Sequence, residues 1–94
     1  MTRTFKSKDK LYTFTATECT VLRTVDFDFT YGREIVERQS ALLVEWENSR
    51  GLKLNAIGFY KMPTNDDEFE EIFANPNEWT TDYETLRTAV IESN

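Results

Sequence analysis

Between Leu11 and Met62 apolar and polar side chains alternate with a period of two, and after Pro63 the period becomes helical. Alternation of this kind places successive residues on opposite faces of a strand. The first two-thirds of the chain is therefore restricted to sheet, and the last third to helices that cover it. Tyr12, Phe14 and Ala16 share a face of a first short strand. From Cys19 to Tyr31 the odd positions read Cys, Val, Arg, Val, Phe, Phe, Tyr, and the even positions from Glu18 to Thr30 read Glu, Thr, Leu, Thr, Asp, Asp, Thr. Leu22 and Arg23 break that rule side by side, so a bulge or a strand break is expected there, because one extra residue reverses the facing.

Gly32 closes this stretch with a turn. The segment from Glu34 to Glu47 puts Leu42, Val44 and Trp46 on one face and Ala41 and Leu43 on the other. Asn48-Ser49-Arg50-Gly51 is a hairpin signal, and a fourth strand follows with Leu52, Leu54, Ala56, Tyr60 and Met62 alternating against Lys53, Asn55 and Lys61. Short links between consecutive strands predict an antiparallel meander.

Beyond Pro63, Phe69, Ile72 and Phe73 recur at i, i+3 and i+4. Asn65 and Glu68 have the spacing of a capping box, and Asp66 and Asp67 suit the positive end of a helix dipole. Asn75-Pro76 stops this helix, and Pro76 with Glu78 starts one tight turn that places Trp79. Thr81 and Glu84 open a last helix running to about Glu92, with Tyr83, Leu86, Val90 and Ile91 inward. The expectation is an α+β single domain over residues 1–94. It has a four-stranded antiparallel meander, curled or barrel-like, with two short C-terminal helices on one sheet face.

Seven Phe, four Tyr and two Trp give so short a chain enough apolar area for a core without staples. Cys19, the one cysteine, cannot form an internal disulfide, which points to a reducing, cytoplasmic compartment (the host's, for a phage-encoded protein). No apolar run resembles a signal peptide or approaches the roughly 20 residues that span a bilayer. Histidine is absent, which removes the commonest general base and metal ligand. No cofactor is expected, and an enzyme would have to work with Asp, Glu, Lys, Tyr, Ser or Thr alone.

The net charge of −6 is unevenly distributed. Residues 1–62 hold ten Lys/Arg and eight Asp/Glu, a net of +2, while residues 63–94 hold Arg87 and nine Asp/Glu, a net of −8. Ordinary exposed helices mix signs, whereas residues 64–86 contain no Lys or Arg. Asp66, Asp67, Glu68, Glu70, Glu71, Glu78, Asp82 and Glu84 are therefore candidate partner-binding residues. Trp79 in its turn and the strand carboxylates Asp26 and Asp28 join them. The acidic run lacks the central Gly and alternating ligands of a calcium loop, and Asp26 with Asp28 has no third ligand. Arg3, Lys6, Lys8 and Lys10 form a weak basic cluster in an end expected to fray. Direct nucleic-acid binding is not expected, for want of an aromatic, phosphate-loop or zinc motif.

Two functions follow. In the first, the folded carboxylates stand in for phosphates and block a basic nucleic-acid-handling protein. Small phage and mobile-element proteins that oppose CRISPR or restriction enzymes, and nuclease inhibitors, act in this way, and the likeness is one of size and composition. In the second, the chain is a general protein–protein interaction module or small structural subunit, with an exposed sheet edge open to a partner or to its own copy as a homodimer.

Overall fold

The computed structural model describes residues 1–91, the last of them by its backbone alone. Among the described residues six strands form one antiparallel sheet: β1 (Thr2–Lys6), β2 (Thr13–Asp28), β3 (Arg33–Glu47), β4 (Lys53–Gly58), β5 (Trp79–Thr80) and β6 (Val90–Ile91). Strands β1 to β5 follow one another across the sheet, and β6 pairs with the β1 side of β2. The ends do not meet, so the sheet is open. The α+β class and the consecutive antiparallel order agree with the period-two pattern.

Helix α1 (Asp66–Phe73) covers one face. Phe69 and Phe73 pack on Phe5, Phe14, Ala16 and Val44, and the Phe5 and Phe69 rings stack at 4.8 Å. Helix α2 (Tyr83–Thr88) covers the other, where Leu86 and Ala89 meet Cys19, Val21, Ala41 and Ile57. The helices therefore take opposite faces instead of the single face expected. The reason lies in β2. Ala16 pairs with Val44 and Cys19 with Ala41, so the buried parity of the strand changes along its length. The adjacent pattern breaks at Leu22 and Arg23 predict a bulge or a strand break there, yet both are in regular register with Arg38 and Glu37. The irregularity lies further on, between Thr24 and Asp26, where Val25 is the extra residue of a bulge.

Other boundaries differ for local reasons. The basic N-terminus is not frayed. Residues 2–6 form an edge strand paired to residues 13–17, anchored by the buried Phe5 ring. Tyr60 and Met62 leave β4 and belong to a crossing segment in which Pro63 is fully buried. The last helix stops at Thr88, and Val90–Ile91 instead continue the β2 edge opposite Thr20 and Cys19. Its expected end at Glu92 lies outside the described residues.

The turns follow their chemistry. Asn65 accepts from the Glu68 amide at 2.8 Å, while the Glu68 carboxylate turns to Thr64 Oγ1, so only half of the predicted capping box forms. Gly51 takes φ 80°, and Asn48 Oδ1 accepts from the amides of Arg50 and Leu52. Pro76–Glu78 forms the expected single 3-10 turn. Among the described residues no helix is long and apolar enough to cross a membrane.

Candidate functional site

The sheet is uneven because its two central strands are much longer than their neighbours. β2 has 16 residues and β3 has 15, against 5 in β1 and 6 in β4. Pairing with β1 and β6 ends at Thr20, and pairing with β4 ends at Leu42. Residues 21–41 therefore project as a two-stranded arm, and the molecule extends 54 Å along an axis against 27 and 25 Å across it.

Cross-strand partners share a face, which fixes what each side of this arm presents. One side carries Leu22 beside Arg38, Thr24 beside Val36, and Phe27 beside Glu34. Thr24 Oγ1 donates to Glu34 at 3.3 Å on that side, and the Phe27 ring meets Phe29 edge-on at 5.0 Å. This is the same face that α1 covers nearer the body. The other side carries Arg23 beside Glu37, Asp26 beside Ile35 and Asp28 beside Arg33. Arg23 there donates to Gln39 at 2.8 Å and lies over the Phe59 ring. The arm is amphipathic, and its apolar side is uncovered. On it Phe29 is 88% exposed, and Leu22, Phe27 and Val36 are all above two-fifths, while Val25 is exposed at the bulge, Ile35 on the other side, and Tyr31 in the turn beneath Arg33. Scattered exposed apolar residues need no explanation, whereas a contiguous set on one projecting element makes the arm the candidate site.

At the base of the arm the Tyr60–Met62 crossing leaves a groove of about 490 Å³. Glu18, Thr20 and Ser40 form its floor, and Tyr60, Lys61 and Met62 its wall. Partial burial, with the Glu78 carboxylate as the smaller cause, raises the Tyr60 hydroxyl above the ordinary tyrosine value.

The carboxylates singled out from the sequence are not gathered into one patch. Asp67, Glu70 and Glu71 line a shallow surface on α1 with Lys8, whose Nζ is 3.7 Å from Glu70. Asp66 accepts from the Lys6 amide, and Glu68 is engaged with Thr64. Glu78 belongs to the 3-10 turn. Asp82 and Glu84 lie at α2, across the sheet from α1, where Asp82 accepts from Thr85 and Glu84 pairs with Arg87 at 3.0 Å. Asp26 and Asp28 are in the arm. Asp28 holds the arm's turn by accepting from the Thr30 and Tyr31 amides, and Asp26 accepts from the Phe27 amide. Trp79 packs on Tyr60 and Phe73 and donates from Nε1 to the Ile72 carbonyl. Its ring is half-buried and packs against the core cluster.

The apolar arm residues were missed because Phe27, Phe29 and Tyr31 share the alternation of the buried part of β2. The available signal was length. Two strands of about 15 residues flanked by strands of about 6 must leave an overhang, as each strand residue adds only about 3.3 Å. No family model, curated protein or solved structure matches this chain.

Proposed function

We propose that the chain is a protein-interaction module whose contact element is the β2–β3 arm. The observation that carries this reading is the uncovered apolar side of the arm, with Leu22, Phe27, Phe29 and Val36 exposed beside one another on a two-stranded frame. Aromatic side chains presented this way bury large areas at little conformational cost, which is why they dominate interface energetics. The role requires neither cofactor nor catalytic group.

A photo-crosslinking residue in place of the exposed Thr30, next to Phe29 in the arm's turn, tests it. Crosslinks to a partner, lost in the Phe29→Ser/Tyr31→Ser chain and kept in the Glu70→Lys/Glu71→Lys chain, are the expected result. Partner capture indifferent to the arm changes would refute it.

The acid surface of α1 favours a second reading, a decoy that occupies a basic nucleic-acid-binding groove. It would act through Asp67, Glu70 and Glu71, since α2 and the arm carboxylates lie elsewhere. Its signature is the reverse pattern: capture lost on Glu70→Lys/Glu71→Lys, competition by nucleic acid, and steep weakening as salt rises.

A further inference from the structure

We infer that the arm's partner is a second copy of this chain, in a two-fold dimer in which each arm lies face to face on the other and each arm tip seats in the other's groove. The inference rests on the arm being the contact element and adds what that element meets.

The residue pattern on the uncovered side is complementary to itself. On β3, Glu34 and Arg38 stand at equal distances on either side of Val36. A two-fold axis at Val36, running across the strands between two stacked arms, sets β3 antiparallel to its copy. Val36 then meets Val36 of the partner subunit, and Glu34 meets Arg38 of the partner subunit at both ends. Among the described residues Arg38 has no acidic partner within its own chain. The same axis acts on β2, where Leu22 is level with Arg38 and Phe27 with Glu34. It therefore brings Leu22 onto Phe27 of the partner subunit, apolar on apolar. One operation thus satisfies both the charge pair and the apolar pair, as a closed two-fold interface requires.

Going outward along the arm, the level of Thr20 and Ser40 in one chain coincides with the turn around Gly32 in the other. That turn carries Phe29, the most exposed aromatic of the arm, whose ring meets Phe27 on this side, and next to it Tyr31, whose ring lies beneath Arg33. Thr20 and Ser40 floor the groove walled by Tyr60 and Met62. The tip aromatics and the groove are thereby matched as projection and recess.

Area and charge agree. Leu22, Phe27, Phe29 and Val36 expose roughly 400 Å² together. With the polar side chains of Thr24, Glu34 and Arg38 around them the face approaches the ~800 Å² per partner of a standard stable interface. Residues 21–41 carry three Arg and four Asp/Glu, nearly balanced, within a chain of net −6. A strongly acidic protein repels its copy least through such a segment. A uniformly basic partner would set like charge against Arg38, and an acidic one would do so against Glu34.

Analytical ultracentrifugation of the whole chain, up to about 100 μM and so above the micromolar weak limit of interfaces this size, tests the dimer. Expected are a dimer for the natural chain and dissociation at least about tenfold weaker for Glu34→Arg alone and for Arg38→Glu alone, each of which sets like charges together. Mixing those two variants should restore a dimer, because every opposed pair again has opposite signs. Phe29→Ser with Tyr31→Ser should also weaken it, and these exposed positions leave the monomer fold intact by circular dichroism. A monomer throughout overturns the second-copy partner, and the crosslinking experiment then judges the arm separately. A dimer indifferent to every substitution forms through another surface and overturns this interface, the crosslinking experiment again judging the arm separately. Single variants that dissociate but do not recover on mixing overturn the two-fold register.

Discussion

Trp79 lies flat against Gly58, so close that a methyl group on Gly58 would fall 2.6 Å from Cε3 and Cζ3 of the indole. The two residues are cross-strand partners in the β4–β5 pair, and the missing side chain is what admits the ring. Gly58→Ala is therefore predicted to destabilise the fold by about 1–3 kcal/mol through overpacking. Urea unfolding checks it. In a Trp79→Leu background, where the large ring is gone, the same change should cost much less, giving a measurable coupling energy.

Phe69 is buried at the centre of the aromatic cluster, 5.1 Å from the rings of both Phe14 and Phe73 as well as stacked on Phe5. Phe69→Ala should cost about 3–5 kcal/mol. Small domains hold only about 5–15 kcal/mol in total, so the variant is expected to be partly unfolded near body temperature, as thermal melts by circular dichroism would report. Because α1 grips the sheet chiefly by Phe69 and Phe73, the loss should appear first as proteolysis between Pro63 and Asn75.

Helical period, caps and punctuation made α1 legible, since Asn65, Asp66 and Pro76 act through backbone neighbours within a few residues. The antiparallel order was legible for the same reason, through Gly32 and the Asn48–Gly51 hairpin. What was not legible depends on distant partners. Alternation in β2 marks two faces but does not say which helix covers which, so Phe27 in the uncovered arm and Val21 in the core read alike. Val90 and Ile91 satisfy a helical stripe as well as a strand, and pairing with Thr20 and Cys19 decided in favour of the strand. The acidic third was correctly placed on a folded frame, but its helices lie on opposite sides of the sheet, a property of topology that no local count of charges contains.

Asp28 separates a structural from a partner-directed role for the arm carboxylates. It accepts from the amides of Thr30 and Tyr31 at 3.0 and 3.3 Å. Asp28→Ala should speed hydrogen exchange at those two amides, while Asp28→Asn, which keeps an acceptor oxygen, should leave them protected. Since the turn is exposed, global stability should fall by only about 0.5–1.5 kcal/mol.

Tyr60 supplies the pH-dependent prediction. Burial, and secondarily the Glu78 carboxylate, raise its ionisation above that of an ordinary tyrosine. A group whose folded pKa is raised contributes stability that is fully present below the unfolded value and is lost as pH rises through the folded one. That contribution should therefore be undiminished at neutral pH and be lost as pH rises above about 10, where an unfolded tyrosine already ionises. Spectrophotometric titration of the phenolate, with Tyr60→Phe identifying the signal, should show a late transition. Glu78→Gln should move it only part of the way back, because burial is the larger cause. A full return would mean that the neighbouring carboxylate, and not the wall of the groove, controls this hydroxyl.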